Sequence, residues 1–342
     1  MIDGIKIGHD NPCFIIAEVG INHNGDLTAA KKLIDAAVDS GANAVKFQKR
    51  NLESIYNKEI LDNPTLDSQG TEILIDVLKE VEFDENDFKV IVDYCKEKNI
   101  ILLCTPWDIP SVNFLEQLNI PAYKIASADL TNFPLLRYIA KLKKPMIVST
   151  GMSNFEEIDK TVNFLKNEDV FFVLLHCNST YPSPTELLNL NLIPELREKF
   201  DVPIGYSGHE SIIIPSVTAV NLGAVIVERH ITLDKNMKGL DQSASLEPRE
   251  FKQLVHFIRD SEKSMGSSLK KMTRGEILQR EVLGKSIVCS SNIKKGDSFS
   301  SENIQVKTPA RGLSPQYYFE LLGKSSSRDL KKGEYLQNED LK

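Results

Sequence analysis

"CFIIAEVGINHNGD", residues 13 to 26, decides between two ways of building an α/β protein. Its first seven residues form a short run of apolar and β-favouring side chains, interrupted by the carboxylate of Glu18, and then give way to a polar turn. An open, doubly wound sheet normally carries a glycine-rich phosphate loop after its first strand. "EVGINHNGD" does not fit the G-x-G-x-x-G pattern that such a loop needs. A parallel sheet closed on itself is therefore favoured.

Working outward, seven further runs repeat the first: "NAVKFQ" (43 to 48), "IILLCT" (100 to 105), "AYKIAS" (122 to 127), "PMIVST" (145 to 150), "VFFVLLHC" (170 to 177), "VPIGYS" (202 to 207) and "AVIVERH" (224 to 230). Between them lie stretches of helical periodicity such as "LTAAKKLIDAAVDSG", ending on Gly41, and "NFEEIDKTVNFLKN". Eight strand-then-helix units predict a (β/α)8 TIM barrel over residues 1 to 275. After "EPREFKQLVHFIRDSEKSMG" the pattern changes to short β-like segments. There "NIKKGDSFSSENI" and "DLKKGEYLQNEDL" repeat a Lys-Lys-Gly-acid phrase, which predicts a small, pseudo-symmetric β-rich domain over 282 to 342, or else two similar surface turns.

Composition narrows the function classes. No apolar run approaches the roughly 20 residues of a membrane span, and the N-terminus lacks the basic and apolar segments of an export leader, so a cytoplasmic protein is expected. A formal charge of −7 disfavours general nucleic-acid binding, while leaving room for an anion in a locally basic pocket. The five cysteines are scattered without a C-x-x-C pair, which suggests neither disulfides nor a zinc knuckle.

In a barrel the chemistry sits at the C-terminal strand ends, and here these are polar throughout. They carry Glu18; Lys46 and Gln48; Thr105; Lys124 with Ser127 and Asp129; Ser149 and Thr150; His176, Asn178 and Ser179; Ser207 and His209; and Glu228 and His230. Lys46 and Lys124 need anions if they point into a barrel, either a carboxylate such as Glu18 or a bound substrate. With the hydroxyls of Thr105, Ser127, Ser149 and Ser207 they suggest a cradle for a doubly anionic small molecule. His209 and His230 end neighbouring strands and can face each other as a divalent-metal site or as an acid–base couple. His176 and His23 read equally as local structural groups. Glu18, Asp129, Glu228 and Asp241 are unranked candidates for handling protons, sugar hydroxyls or the lysine charges. Tyr181, before Pro182, belongs either to a shaped binding loop or to a packed turn.

These residues lie in motifs that closely resemble the sialic acid synthases, the N-acetylneuraminate synthase family: "FIIAEVGINHNGD", "VKFQ", "YKIASADLTNFPLL", "STGMS", "LLHCNSTYPSP", "IGYSGHE", "VERHITLDKNMKGLDQSASLEP", and the C-terminal "GKS" and "KKGD". "GYSGHE", "ERHITLDK" and "SASLEP" resemble animal-type members, which act on the 6-phosphorylated sugar. The resemblance implies a barrel followed by an antifreeze-like (SAF) domain that covers the active site of the other subunit of a domain-swapped homodimer. It implies condensation of phosphoenolpyruvate with N-acetylmannosamine or a related sugar, giving a nine-carbon 2-keto acid and phosphate. It further implies a divalent metal on His209 and His230, with manganese the leading expectation and magnesium or cobalt as alternatives.

By the same resemblance, Lys46, Thr105, Lys124, Ser127, Ser149 and Ser207 hold phosphoenolpyruvate, and Glu18, Gln48, Tyr181 and Asp241 lie near the sugar or reacting centre. Glu18 and Asp129 join the two histidines as catalytic candidates. Asp129 replaces the glutamate of many bacterial members, Ser179 stands where some have asparagine, and Arg311 follows Thr308, which replaces an arginine common in bacterial relatives. Arg311 is thus a candidate for the partner's sugar site. The acceptor stays open among N-acetylmannosamine, its 6-phosphate, mannose 6-phosphate and diacetamido sugars of the legionaminic type, with "NKEILDNPTLDSQGTEIL" expected to help choose. Two other classes remain for comparison: a Schiff-base aldolase using Lys124, and a non-catalytic binding protein.

Overall fold

The computed structural model describes residues 1–62 and 71–341, with the side chains of 71–74 set aside; the middle of "NKEILDNPTLDSQGTEIL" lies outside the described residues. Eight parallel strands close into a barrel in chain order: β1 (Phe14–Gly20), β2 (Ala44–Lys49), β3 (Ile101–Pro106), β4 (Tyr123–Ile125), β5 (Met146–Ser149), β6 (Phe172–Cys177), β7 (Ile204–Gly208) and β8 (Ile226–His230). β8 pairs with β1, which completes the ring. The strands read as continuous apolar runs because both of their faces are covered. Ile15, Ala17 and Val19 pack outward with residues of the surrounding helices, while Phe14 and Ile16 point inward.

The inward positions change character along each strand. Near the N-terminal end Phe14, Ile16, Ala44, Leu103, Ala122, Ile147, Val173, Leu175 and Ile226 fill the interior with Ile2. The next inward residues, at two-residue spacing, are Glu18, Lys46, Thr105, Lys124, Ser149, Cys177 and Glu228. The barrel is thus plugged by hydrocarbon at one end and polar at the other. Gly205 in β7 belongs to the tightest part of the plug. A β-carbon there would stand 2.5 Å from Leu175 and 2.7 Å from the Ile226 carbonyl, so the close approach of β6 and β8 requires glycine.

The helices form where periodicity and capping agree. Leu27–Ser40 starts on Asp26, whose carboxylate accepts the Thr28 N–H, and stops on Gly41 at φ 82°. Phe155–Asn167 begins with a capping box between Asn154 and Glu157. The long helix Pro248–Met265 ends this unit, and the division into compact units falls after Gly266, earlier than the expected barrel limit at residue 275. No helix among the described residues is long and apolar enough to cross a membrane.

The second unit, Ser267–Lys342, contains a helix (Arg274–Leu283) and an antiparallel pair, β9 (Ser286–Cys289) with β10 (Ile304–Lys307). Its two Lys-Lys-Gly-acid phrases are more than similar surface turns. Asp297 accepts the Lys294 N–H and Glu334 accepts the Lys331 N–H, each at 2.9 Å. Each turn also reaches across to the other: Lys295 N–H donates to Asp329 and Lys332 N–H to Asn292. Ile293 and Leu330 exchange both backbone hydrogen bonds at the centre. The equivalences continue into one shared core, where Phe299 matches Leu336 and Ile304 matches Leu341. The repeat is therefore a pseudo-twofold built into the backbone.

Candidate active site

The polar ends of the barrel strands surround a cavity of about 310 Å³. Lys46 and Lys124 lie in its floor, both 3% exposed, and neither is left to an apolar wall. Lys46 Nζ lies 2.8 Å from Glu18 Oε2 and 3.9 Å from Glu228 Oε2, and donates to Thr105 Oγ1 at 3.0 Å. Glu18 Oε2 has no directed hydrogen bond, so its pairing with Lys46 is chiefly electrostatic. Lys124 Nζ donates to Ser149 Oγ at 2.6 Å and to the Ile125 carbonyl at 2.9 Å, with Glu228 Oε1 3.8 Å away. Ser207 Oγ donates to that same Glu228 oxygen.

Burial opposes the charge on both lysines, with opposite outcomes. For Lys46 the attraction of Glu18 and Glu228 outweighs burial, and the pKa rises; for Lys124 burial prevails over Glu228, and it falls. β-Register explains the arrangement: Glu18 faces both Lys46 and His230, and Ser207 faces Glu228. Gln48, opposite Thr105, donates to Glu18 Oε1 at 2.9 Å.

The histidines meet as their neighbouring strands require. The rings of His209 and His230 are 5.5 Å apart between centroids, and Tyr181 stacks on His209 at 4.0 Å while presenting an edge to His230. His209 Nδ1 donates to the Asn178 carbonyl at 2.7 Å, leaving Nε2 as the ring nitrogen with a lone pair. His230 Nδ1 is buried without a hydrogen-bond partner, 3.8 Å from Asp241 Oδ2. Burial, then repulsion from His209 and Lys46, holds the His230 pKa well below the ordinary value. Burial and the neighbouring Glu18 raise Asp241 to about 6. Burial would lower His209, but the adjacent Cys177 thiol turns its pKa upward.

This donor set fits a divalent cation. Two imidazoles meet, His230 held in its neutral form by burial and His209 already oriented through Nδ1 by a backbone carbonyl, as metal-binding histidines commonly are. Among the described residues no group of three potential ligands gathers, so the pair supplies only part of a coordination shell. Charge supports the same fit. The cavity lining brings together three cations, Lys46, Lys124 and Arg50, and three carboxylates, Glu18, Glu228 and Asp241. A multiply charged anion added to that balanced, buried set calls for additional positive charge.

Most of the expected residues converge: Glu18, Lys46, Gln48, Thr105, Lys124, Ser127, Ser149, Ser179, Tyr181, Ser207, His209, His230 and Asp241 all line the cavity. Asp129 does not. β4 ends at Ile125, and the 3-10 turn Ser127–Asp129 rotates successive side chains, so Ser127 faces the cavity while Asp129 accepts from Asn132 at 2.9 Å. Asp129 Oδ2 remains buried and unpartnered, and burial raises its pKa. Arg311 lies exposed in the C-terminal unit, where its carbonyl accepts from Gln337. His176 is tied to the Leu188 carbonyl, and His23 accepts the Gly25 N–H and stacks on Phe83.

Arg50, Trp107 and Cys177 also line the cavity, although strand-end inspection did not select them. Arg50 and Trp107 continue the two-residue alternation of Lys46–Gln48 and of Thr105 beyond the apparent strand ends. That period was the available signal. Cys177 is the last residue of β6, opposite Ser207.

Comparison with known proteins agrees with this architecture. The sequence pattern of the NeuB family matches residues 33–270, and that of the SAF domain matches 284–342. The chain is 41% identical over 330 residues to N,N'-diacetyllegionaminic acid synthase of Campylobacter jejuni, covering 94% of this chain and 98% of that protein. It is 40% identical to human N-acetylneuraminate-9-phosphate synthase over 324 residues, covering 94% and 90%. The crystal structure of N-acetylneuraminic acid synthetase from Leptospira borgpetersenii in complex with citrate superposes with a TM-score of 0.73 at 36% identity, covering 82% of this chain and 94% of that one.

Proposed function

The chain belongs to the NeuB family and ends in a SAF domain, and from that premise we propose that it condenses phosphoenolpyruvate with N-acetylmannosamine or a close relative. The products are a nine-carbon 2-keto acid and phosphate. The observation that carries the reading is the convergence of the buried Lys46 and Lys124, with their hydroxyl partners, on the cavity that also contains His209 and His230. Two fixed cations with neighbouring hydroxyl donors suit a small molecule bearing both carboxylate and phosphate.

In the reaction, C3 of phosphoenolpyruvate forms a bond to the aldehyde carbon of the open-chain sugar. Water adds at C2, and the C2–O bond breaks to release phosphate. Lys46 and Lys124 hold the anion so that its C3 faces the acceptor, which makes the two-substrate encounter effectively unimolecular. His209 and His230 are the residues that would hold a divalent cation, manganese first, which when bound supplies Lewis-acid polarisation of the sugar carbonyl. Tyr181 keeps the His209 ring in place by stacking, and Gln48 steadies Glu18. Asp241, with its raised pKa, can hold a proton close to neutrality beside the acceptor oxygen.

The test is phosphate release from phosphoenolpyruvate with each of four acceptors: N-acetylmannosamine, its 6-phosphate, mannose 6-phosphate and a diacetamido sugar. Release with at least one, abolished by chelator and restored by manganese, is the expected result; no release with any of them overturns the reading. A Schiff-base aldolase is the second reading, favoured by the lowered pKa of Lys124. Borohydride with substrate would then leave an adduct on Lys124, whereas the synthase leaves none. A homodimer in which Arg311 serves the partner's site follows from the family resemblance. Light scattering and Arg311→Ala kinetics test it.

A further inference from the structure

Lys46, Gln48 and Arg50 occupy one inward face of β2 and its continuation, with about 6.6 Å between successive levels. Lys46 is at the floor, and Gln48 is bonded to Glu18 at the level of the histidines. Arg50 is the third level. The ladder extends beyond the formal strands, since Trp107 N–H donates to the Lys49 carbonyl at 3.1 Å and places Trp107 opposite Arg50. The guanidinium lies 4.7 Å from the indole ring centroid.

Two donors at this level have no acceptor among the described residues. Arg50 Nη1 and Trp107 Nε1 are both buried without hydrogen-bond partners, and Arg50 as a residue is 8% exposed. The other terminal nitrogen, Nη2, donates to Gln48 Oε1. The nearby carboxylate does not meet the need. Glu82 Oε1 is taken by Lys49 Nζ and by the Arg50 backbone N–H, and Glu82 Oε2 remains 3.7 Å from Nη1, beyond hydrogen-bond distance. Glu82 is thus shared between Lys49 and Arg50, and the carboxylates of Asp241 and Glu18 act on Arg50 only through space. Guanidinium and indole N–H groups only donate, so their missing partner must be an acceptor, and the permanent positive charge of the guanidinium favours an anionic one.

We propose that Arg50 and Trp107 form an oxyanion subsite of the cavity, which takes a phosphate-type substituent on the end of the acceptor sugar remote from its aldehyde. The inference rests on the condensation reading for the acceptor's orientation. With the aldehyde at the histidine level, one further step along β2 carries the far end of an open-chain hexose to Arg50. Lys46 and Lys124 remain for the other substrate, so the two anions occupy separate levels.

Trp107 is the chain's single tryptophan and therefore reports binding at this level directly. Titration of the intact protein with N-acetylmannosamine 6-phosphate and with N-acetylmannosamine, followed by Trp107 emission, should give a Kd at least tenfold lower for the phosphorylated sugar. Arg50→Gln should bring the two values to within threefold. Equal affinities in the wild type, or a preference that survives in Arg50→Gln, overturn the proposal. Should Arg50→Gln fail to fold, Trp107→Phe carries the test. Replacing the indole, N–H included, by a phenyl ring should reduce the 6-phosphate preference in Kd, measured by calorimetry, at least threefold, and an unchanged ratio overturns the proposal. The binding measurement needs no turnover. Absence of phosphate release therefore defeats the condensation reading alone, while a missing affinity difference defeats the subsite alone.

Discussion

The barrel and the C-terminal unit treat polar groups in opposite ways. The barrel buries Glu18, Lys46, Lys124, Glu228, His209 and His230 together, and every buried side-chain atom without a hydrogen-bond partner among the described residues belongs to this unit. In the C-terminal unit the Lys-Lys-Gly-acid turns keep their charges at the surface and return each acid to a backbone N–H. Unfinished pairing in a buried setting is costly, and most of these atoms, on Glu18, Arg50, Trp107, Glu228 and His230, belong to residues that line the cavity, where a ligand can complete it. Finished pairing around a twofold instead specifies a backbone shape. The contrast separates a unit with buried polar groups left unpartnered from one whose turn acids are already paired.

The largest test of that contrast removes the imidazoles. His209→Ala and His230→Ala should each lower kcat by about a thousandfold or more and abolish manganese binding measured by calorimetry, with little change in melting temperature. The next test concerns charge buried for structure beside the site. Arg229 donates to Glu210 at 2.8 Å, and Tyr206 donates to the same carboxylate from the other side. Arg229→Met strands Glu210 in the core and should cost about 3–5 kcal/mol in denaturant unfolding.

Acid provides a third test. His23 is held to a pKa of about 4, chiefly by burial. Above pH 6.5 it is neutral both folded and unfolded. As the pH falls below 6.5 the unfolded chain takes up a proton that the folded chain refuses until about pH 4. Stability should therefore decline across that window by about 3 kcal/mol, and His23→Gln should flatten that part of the profile. The smallest effect belongs to the C-terminal unit. Gly296 and Gly333 have φ of 92° and 85°, and a β-carbon would meet nothing within 4 Å at either. Alanine at each should cost about 1–2 kcal/mol, equally at both; unequal losses would break the twofold.

The barrel was legible because its parallel strands are covered on both faces, which makes each one a continuous apolar run. The site was legible because those runs end in polar residues. Asp129 was misplaced for a reason the sequence does not display: its strand stops at Ile125, and a 3-10 turn replaces the strand period. Arg50 and Trp107 were overlooked through the opposite error, because the two-residue period outlasts the apolar run that announces a strand. The repeat was visible as a phrase. Its meaning lay in hydrogen bonds between distant residues, Lys295 to Asp329 and Lys332 to Asn292, which no local pattern contains.

The pairing of Ile293 with Leu330, each in the same place in its own half, makes the C-terminal unit a dimer held within one chain. Neither half can enclose Phe299 and Leu336 by itself, since both belong to a single core. The intervening chain therefore fixes the effective concentration at which two partners meet. Association that would otherwise depend on dilution becomes a property of the sequence.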